Sequence, residues 1–213
     1  MGSKIVRIVV WGAVAVAVVV VFYVRTSRMR VDRLIGEANA LIEEGDNNEK
    51  QLGADGNLLL GGGMPKEIFV ERASSPVASE DEFAGGTVPK KEVTVDRAKL
   101  EKVVAKTDEM LTKVVANFRA ASAKFDEGRQ SARNGVIAKY LELMSQAYQL
   151  RADCEEAHRK AAVILIDKSV PSLDEIRKKR GDLLIEAGKA ESEFERLAAE
   201  AEKLHDANLG QFK

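Results

Sequence analysis

Hydrophobic residues are unevenly spread along the chain, and the first stretch they define is an uncharged run. It covers seventeen residues, from Ile8 to Val24. As an α-helix at ~1.5 Å per residue, this run is about 26 Å long, close to the ~30 Å hydrocarbon core of a bilayer. Trp11 lies near one end, and Phe22 and Tyr23 lie at the other, where aromatic side chains favour the membrane interface. The run predicts a single transmembrane anchor within the first 27 residues.

A cleaved signal peptide is the main alternative for this segment. Its start is basic, and Ala15-Val16-Ala17 matches an A-x-A cleavage pattern. Cleavage sites follow the apolar run, however, whereas this run continues for seven residues past Ala17. An uncleaved anchor is therefore the favoured interpretation. Basic residues flank both ends of the run, so the positive-inside rule gives only a weak preference for one orientation in the membrane. We expect the C-terminal part to be extracytoplasmic, with a cytoplasmic location as the alternative.

The next two stretches differ in periodicity and composition. Residues 28–44 place apolar side chains at helical spacing, which predicts an amphipathic stalk helix that ends at Gly45. Residues 45–95 are rich in glycine and proline and predict a flexible linker. Three short runs in this linker are strand candidates: Leu58–Leu60, Glu67–Glu71 and Glu92–Val95. The glycine triplet at 61–63 lacks the Gly-Lys-Ser/Thr of a phosphate loop.

The last stretch, residues 96–213, repeats apolar residues at alternating spacings of three and four. A sustained 3.5-residue repeat is typical of left-handed coiled-coil packing. Asp96 and Ser172 are candidate helix caps, and Arg133-Asn134-Gly135 marks a break. One long helix across that break is the alternative. The chain is thus expected to be all-α, with a transmembrane helix, a flexible linker and an extended antiparallel three-helix bundle. The predicted bundle core includes Leu111, Phe118, Leu143, Leu150, Leu183 and Phe194.

The amino-acid composition limits the kinds of partner and binding site that we expect. The 33 basic and 34 acidic residues nearly cancel, which argues against a nucleic-acid partner. Cys154 and His158 are four residues apart and share a helix face, so both could bind one metal ion. With one cysteine and two histidines in the chain, a thiol in a helix seam beside an exposed histidine is the favoured interpretation. The basic run at 177–180 is flanked by acidic residues and is interpreted as a solvated face. We expect no metal, no cofactor and no small-molecule substrate.

These patterns favour a structural role over catalysis. The sequence shows no Ser-His-Asp arrangement at a nucleophile elbow and no Gly-x-Gly-x-x-Gly. We therefore expect a non-enzymatic scaffold that is anchored in the lipid bilayer and contacts a protein partner, or a second copy of itself, through helices. Two alternatives remain: an accessory subunit of an envelope transport, secretion or lysis machine, and a helical module that senses a ligand.

Overall fold

The computed structural model describes residues 2–64, 69–73, 91–170 and 172–212, with side chains from residue 25 onward except in residues 69–73 and 91–94. Four long helices dominate these residues. The elements in chain order are α1 (Gly2–Lys50), α2 (Gly53–Leu60), β1 (Phe69–Ala73), β2 (Lys91–Val95), α3 (Arg97–Ser131), α4 (Gly135–Val163), a 3₁₀ turn (Ile164–Ile166), α5 (Leu173–Ala207) and α6 (Leu209–Phe212).

The long helices pack as successive antiparallel neighbours. α3 lies between α1 and α4, and α4 lies between α3 and α5. In the middle of the α3–α4 interface, Ser122 Oγ donates a hydrogen bond to the Ser145 carbonyl at 2.8 Å, and Ser145 Oγ donates to the Ser122 carbonyl at 3.0 Å. This reciprocal pair fixes the register of the two helices. The prediction that packed helices form the body of the molecule is confirmed.

The predicted number of bundle helices is wrong, because α1 is a fourth member. Val31 and Ala38 of α1 are buried in one cluster with Phe125 of α3 and Leu141 of α4. The amphipathic stripe of residues 28–44 therefore covers the α3–α4 pair instead of forming a separate stalk. The stripe was identified correctly from its spacing, but its packing partner lies about 90 residues away along the chain.

Gly45 is in the interior of α1 and does not end the helix there. A Cβ atom at this position would lie 2.6 Å from Cε1 of Phe118. The missing side chain lets the Phe118 ring approach the α1 backbone. Gly45 is therefore needed for packing, and the predicted helix end is wrong. Glycine is favoured both at helix ends and where another group comes close to the backbone, and the sequence does not distinguish the two.

The start of the predicted linker is helical too. α1 continues to Lys50, and α2 follows at Gly53, with Leu52 and Leu59 both buried. The predicted strand at Leu58–Leu60 is therefore wrong. Only a short apolar run is visible there in the sequence, and such a run does not distinguish a strand from a buried helical turn.

The other two strand candidates pair with each other. β1 and β2 form an antiparallel ribbon in which Phe69 is opposite Val95 and Ala73 is opposite Lys91. β2 includes the whole of the predicted Glu92–Val95 run, whereas β1 begins two residues later than its candidate and extends further. The residues between the two strands lie outside the described part of the chain.

The predicted caps and the predicted break are confirmed. Asp96 accepts a hydrogen bond from the Lys99 amide, and Ser172 accepts one from the Glu175 amide. Asn134 caps α4 by accepting from the Val136 amide at 2.8 Å. α3 ends at Ser131, so α3 and α4 are two helices and the alternative of one continuous helix is wrong.

The six predicted core residues differ in burial. Leu111, Phe118 and Leu143 are buried. Leu150 and Phe194 are half-buried and pack against one cluster between α4 and α5. Leu183 is also half-buried. Residues on α5 are less covered because this helix lies at the end of the row of helices.

No helix among the described residues is long and apolar enough to cross a bilayer. The predicted anchor, with Ile8, Trp11, Phe22, Tyr23 and Val24, belongs to the part of α1 whose side chains lie outside the described residues. The anchor therefore stays a prediction.

Candidate functional site

An ion-pair cluster lies inside the bundle around Arg151 of α4, and we call it the Arg151 cluster. Its guanidinium lies 2.8 Å from Glu49 of α1, 3.4 Å from Glu155 of α4 and 3.7 Å from Glu191 of α5. His158 completes the cluster, with Nδ1 at 3.4 Å from Glu155 Oε2. One arginine therefore links three of the long helices.

Two aromatic rings also lie beside Arg151. Its guanidinium lies 5.9 Å from the ring centroid of Phe118 and 5.7 Å from that of Phe194. Burial alone would lower the pKa of Arg151, but the charges of Glu155 and Glu49 outweigh it and raise that pKa. The arginine therefore stays charged between two aromatic rings, where cation–π attraction adds to the ion pairs.

Cys154 packs in one cluster with Ala187 of α5, and His158 lies beside its thiol. Cys154 Sγ is 3.9 Å from His158 Nδ1, and the thiol is fully buried. Burial lowers the pKa of His158, but the contacts with Cys154 and Glu155 outweigh it and raise the pKa to about 10. The histidine is thus held as a cation next to a carboxylate that is only 2% exposed.

Cys154, Glu155 and His158 are the described residues best placed to hold a metal ion, because one ligand atom from each lies within 4.8 Å of the others. The contacts of Glu155 favour ion pairing instead. Arg151 lies 3.4 Å from one oxygen of this carboxylate, and His158 Nδ1 lies 3.4 Å from the other.

The same residues do not have the geometry of a cysteine nucleophile and its base. Cys154 and Glu155 both contact the Nδ1 atom of His158, whereas a catalytic triad uses one ring nitrogen for the nucleophile and the other for the carboxylate. The thiol also has no exposed surface for a substrate to reach. The Arg151 cluster can therefore fix the register of the helices, but it offers no reacting group.

Arg180 of α5 has a different role from the rest of the basic run at 177–180. Its guanidinium donates to the carbonyls of Leu59 at 2.7 Å, Gly63 at 3.1 Å and Gly62 at 3.2 Å. These carbonyls end α2, where the helix dipole is negative. Arg180 is buried, so the interpretation of the whole run as a solvated face is wrong at this position.

The glycine triplet forms the turn that Arg180 binds. The Gly63 amide donates to the Leu58 carbonyl, the Gly62 amide donates to the Leu59 carbonyl, and Gly62 has a φ of +80°. This is a Schellman turn, which ends a helix with glycine in the left-handed region. The triplet therefore serves as a helix cap and not as a phosphate loop.

Several open clefts lie on the surface of the described bundle, and two of them are at its base, the end that contains residue 25 of α1. The base cleft, of about 520 Å³, lies between α1 and the C-terminal end of α5. Its walls include Tyr140, His205 and Phe212, whose rings contact one another. The base groove, of about 550 Å³, is lined by Thr26, Ser27, Arg30, Gln130, Ser131, Ala132 and Arg133.

The third cleft, the α4–α5 groove, has a volume of about 510 Å³. Tyr140, Met144 and Phe194 line it together with Ala198. Sequence reasoning identified Phe194 as a core residue but missed that its ring borders a groove. It also missed Arg151, because a charged residue at helical spacing looks the same on a solvated face and in a buried cluster.

We found no match to this chain among protein-family models, curated proteins or solved structures.

Proposed function

We propose that this protein is a membrane-anchored, non-enzymatic scaffold whose helical bundle stands directly on the bilayer and binds a protein partner through its helices. The observation that carries the proposal is the continuity of α1, which runs unbroken from Gly2 to Lys50. One helix therefore contains both the uncharged run and the buried stripe that packs on α3. The bundle and the proposed anchor share an element, with no linker between them.

Hydrogen bonding near residue 25 supports a short distance between bundle and bilayer. Ser27 Oγ donates to the Ser131 carbonyl at 2.6 Å, so the last turn of α3 is level with Ser27. Val24 ends the uncharged run three residues earlier, about 4.5 Å along a helix at ~1.5 Å per residue. In this proposal the base of the bundle lies in the headgroup layer of the membrane.

The α4–α5 groove is the proposed binding site for a partner helix. α5 packs chiefly on α4, which leaves one flank of each helix open, and Phe194 and Met144 are only half-buried there. Ile185 of α5 is 59% exposed. Amphipathic helices bind such grooves by inserting apolar side chains at intervals of three or four residues. A second copy of the chain is the simplest partner to test.

Membrane extraction tests the anchor. If the proposal is right, the full chain stays in the membrane pellet after washing with alkaline carbonate and leaves it only with detergent. Release by carbonate would contradict the anchor. The side of the membrane is tested separately, with a reporter fused after Phe212, and we expect an extracytoplasmic location.

Cysteine cross-linking in membranes tests the partner groove. Glu195 lies in the α4–α5 groove and is exposed, whereas Lys113 is exposed on α3, outside the residues that line this groove. We expect Glu195→Cys, but not Lys113→Cys, to give a disulfide-linked dimer or a cross-link to a partner. Equal cross-linking of the two variants, or none, would contradict the groove as the interface. The native Cys154 is buried and does not interfere.

A further inference from the structure

The base groove brings two arginines together from separate elements. Arg30 is on α1, and Arg133 is in the turn between α3 and α4. Both are exposed, and Thr26, Ser27 and Ser131 line the same groove. Guanidinium groups bind phosphate oxygens through paired hydrogen bonds, so two arginines that face one groove suit a phosphodiester.

The charges around the groove favour an anion. Asp126 and Glu127 in the last turns of α3 are already paired, Asp126 with Arg129 at 2.8 Å and Glu127 with Lys124 at 4.0 Å. Arg25, Arg28 and Arg30 form no ion pair with any carboxylate that the structure describes. Residues 25–33 of α1 carry four arginines against one aspartate, so this end of the described bundle is basic.

We propose that the base groove binds the phosphodiester headgroup of an anionic phospholipid in the membrane that holds the chain. This inference rests on the proposed anchor, which places the groove beside the headgroup layer. Thr26 is two residues after Val24, the end of the uncharged run, so a lipid in the bilayer reaches the groove from below. A soluble phosphodiester shares the chemistry, but it lacks the high local concentration that a bilayer gives at this level.

Nanodiscs with spin-labelled lipids test the inference on the full chain. The chain is reconstituted in phosphatidylcholine nanodiscs that contain a small amount of spin-labelled phosphatidylglycerol or of spin-labelled phosphatidylcholine. The immobilised fraction of each label gives its relative association with the protein. We expect phosphatidylglycerol to be preferred several-fold. The double variant Arg30→Gln, Arg133→Gln should lose most of this preference, since each arginine near an anionic surface is worth about a fivefold change in association.

The matched control is Arg177→Gln, because Arg177 is also exposed but lies at the opposite end of the bundle, at the start of α5. We expect this variant to keep the preference, and circular dichroism checks that all variants are folded. Equal selectivity in wild type and double variant, or none, would overturn the headgroup site and leave the anchor standing. Failure of the wild-type chain to enter nanodiscs would overturn both. Displacement of the label by millimolar glycerophosphoglycerol would overturn the assignment to membrane lipid.

Discussion

Gly45 and Gly36 lie inside the same helix, α1. Because their surroundings differ, we expect alanine substitutions at these two positions to have opposite effects on stability. A Cβ at Gly45 would lie 2.6 Å from the Phe118 ring, whereas a Cβ at Gly36 would meet nothing within 4 Å. Alanine favours helix by roughly 1 kcal/mol over glycine, but forcing a buried ring to move costs about 1–3 kcal/mol. We expect Gly45→Ala to lower the free energy of unfolding and Gly36→Ala to raise it by up to about 1 kcal/mol. Urea unfolding of the full chain in detergent micelles measures both.

The pair contains its own control, because the two substitutions are chemically identical. If Gly45→Ala stabilises the protein as much as Gly36→Ala does, α1 does not pack on Phe118 as described.

We expect substitution of Arg180 to lower the free energy of unfolding more than substitution of its exposed neighbour Arg177. Replacing the Arg180 guanidinium removes its hydrogen bonds to the Leu59, Gly62 and Gly63 carbonyls, and a hydrogen bond that involves a charged group contributes about 1.5–3 kcal/mol. We expect Arg180→Met to lower the free energy of unfolding by about 2–4 kcal/mol. Limited proteolysis of the same variant should cut first near α2, the element that this arginine holds.

Arg177→Met is the control for that experiment, because the Arg177 side chain is 78% exposed and pairs with an exposed aspartate. Exposed ion pairs contribute about 0–1 kcal/mol, so its effect should be small. Equal effects of the two variants would show that Arg180 does not hold the end of α2.

Because of His158, we expect the free energy of unfolding to depend on pH. Its pKa in the folded protein is raised from 6.5 to about 10, so folding favours the protonated form. The resulting stabilisation is complete below pH 6.5 and is lost as the pH rises towards 10. We expect the free energy of unfolding to fall across this window, and His158→Gln should remove most of the fall. A resonance assigned to His158, by its absence from the His158→Gln variant, that titrates near pH 6.5 in the folded protein would contradict the prediction.

At the scale of elements, α5 is the least covered of the long helices in the described bundle. It buries four residues, Arg180, Ala187, Leu197 and Ala201, whereas α3, also 35 residues long, buries eleven. Few buried contacts allow an element to open without unfolding of the whole bundle. We expect amides in α5 to exchange with deuterium faster than those in the middle of α3, as measured by mass spectrometry. Equal protection of α3 and α5 would contradict this order.

Local patterns were sufficient to predict the caps of α3 and α5 and the break before α4. Asp96, Asn134 and Ser172 lie immediately before their helices, and each accepts a backbone hydrogen bond. Such caps involve residues two or three positions apart, so the sequence displays them directly. The end of α1 was not predictable in this way, because the structural role of Gly45 depends on its contact with Phe118, which is distant in sequence.

The candidate sites were less predictable than the helices for the same reason. The Arg151 cluster joins carboxylates from α1, α4 and α5, and the base groove joins α1 to the α3–α4 turn. Heptad spacing indicates which face of a helix is apolar, but not which helix covers it.

At the scale of the whole molecule, we expect that residues 96–213 do not fold as an independent domain, although their heptad pattern suggests that they do. Without α1, the side chains that pack against it are uncovered, among them Phe118, Phe125 and Leu141. Burying one such side chain is worth about 1.5–3 kcal/mol, so even partial exposure of three removes much of a typical stability of about 5–15 kcal/mol. We expect a 96–213 fragment to bind a hydrophobic dye and to melt over a broad range. A 25–213 fragment, which keeps the α1 stripe but not the uncharged run, should melt cooperatively. Equal melting of the two fragments would show that α1 only tethers the bundle, and the boundary suggested by the heptads would then be the true one.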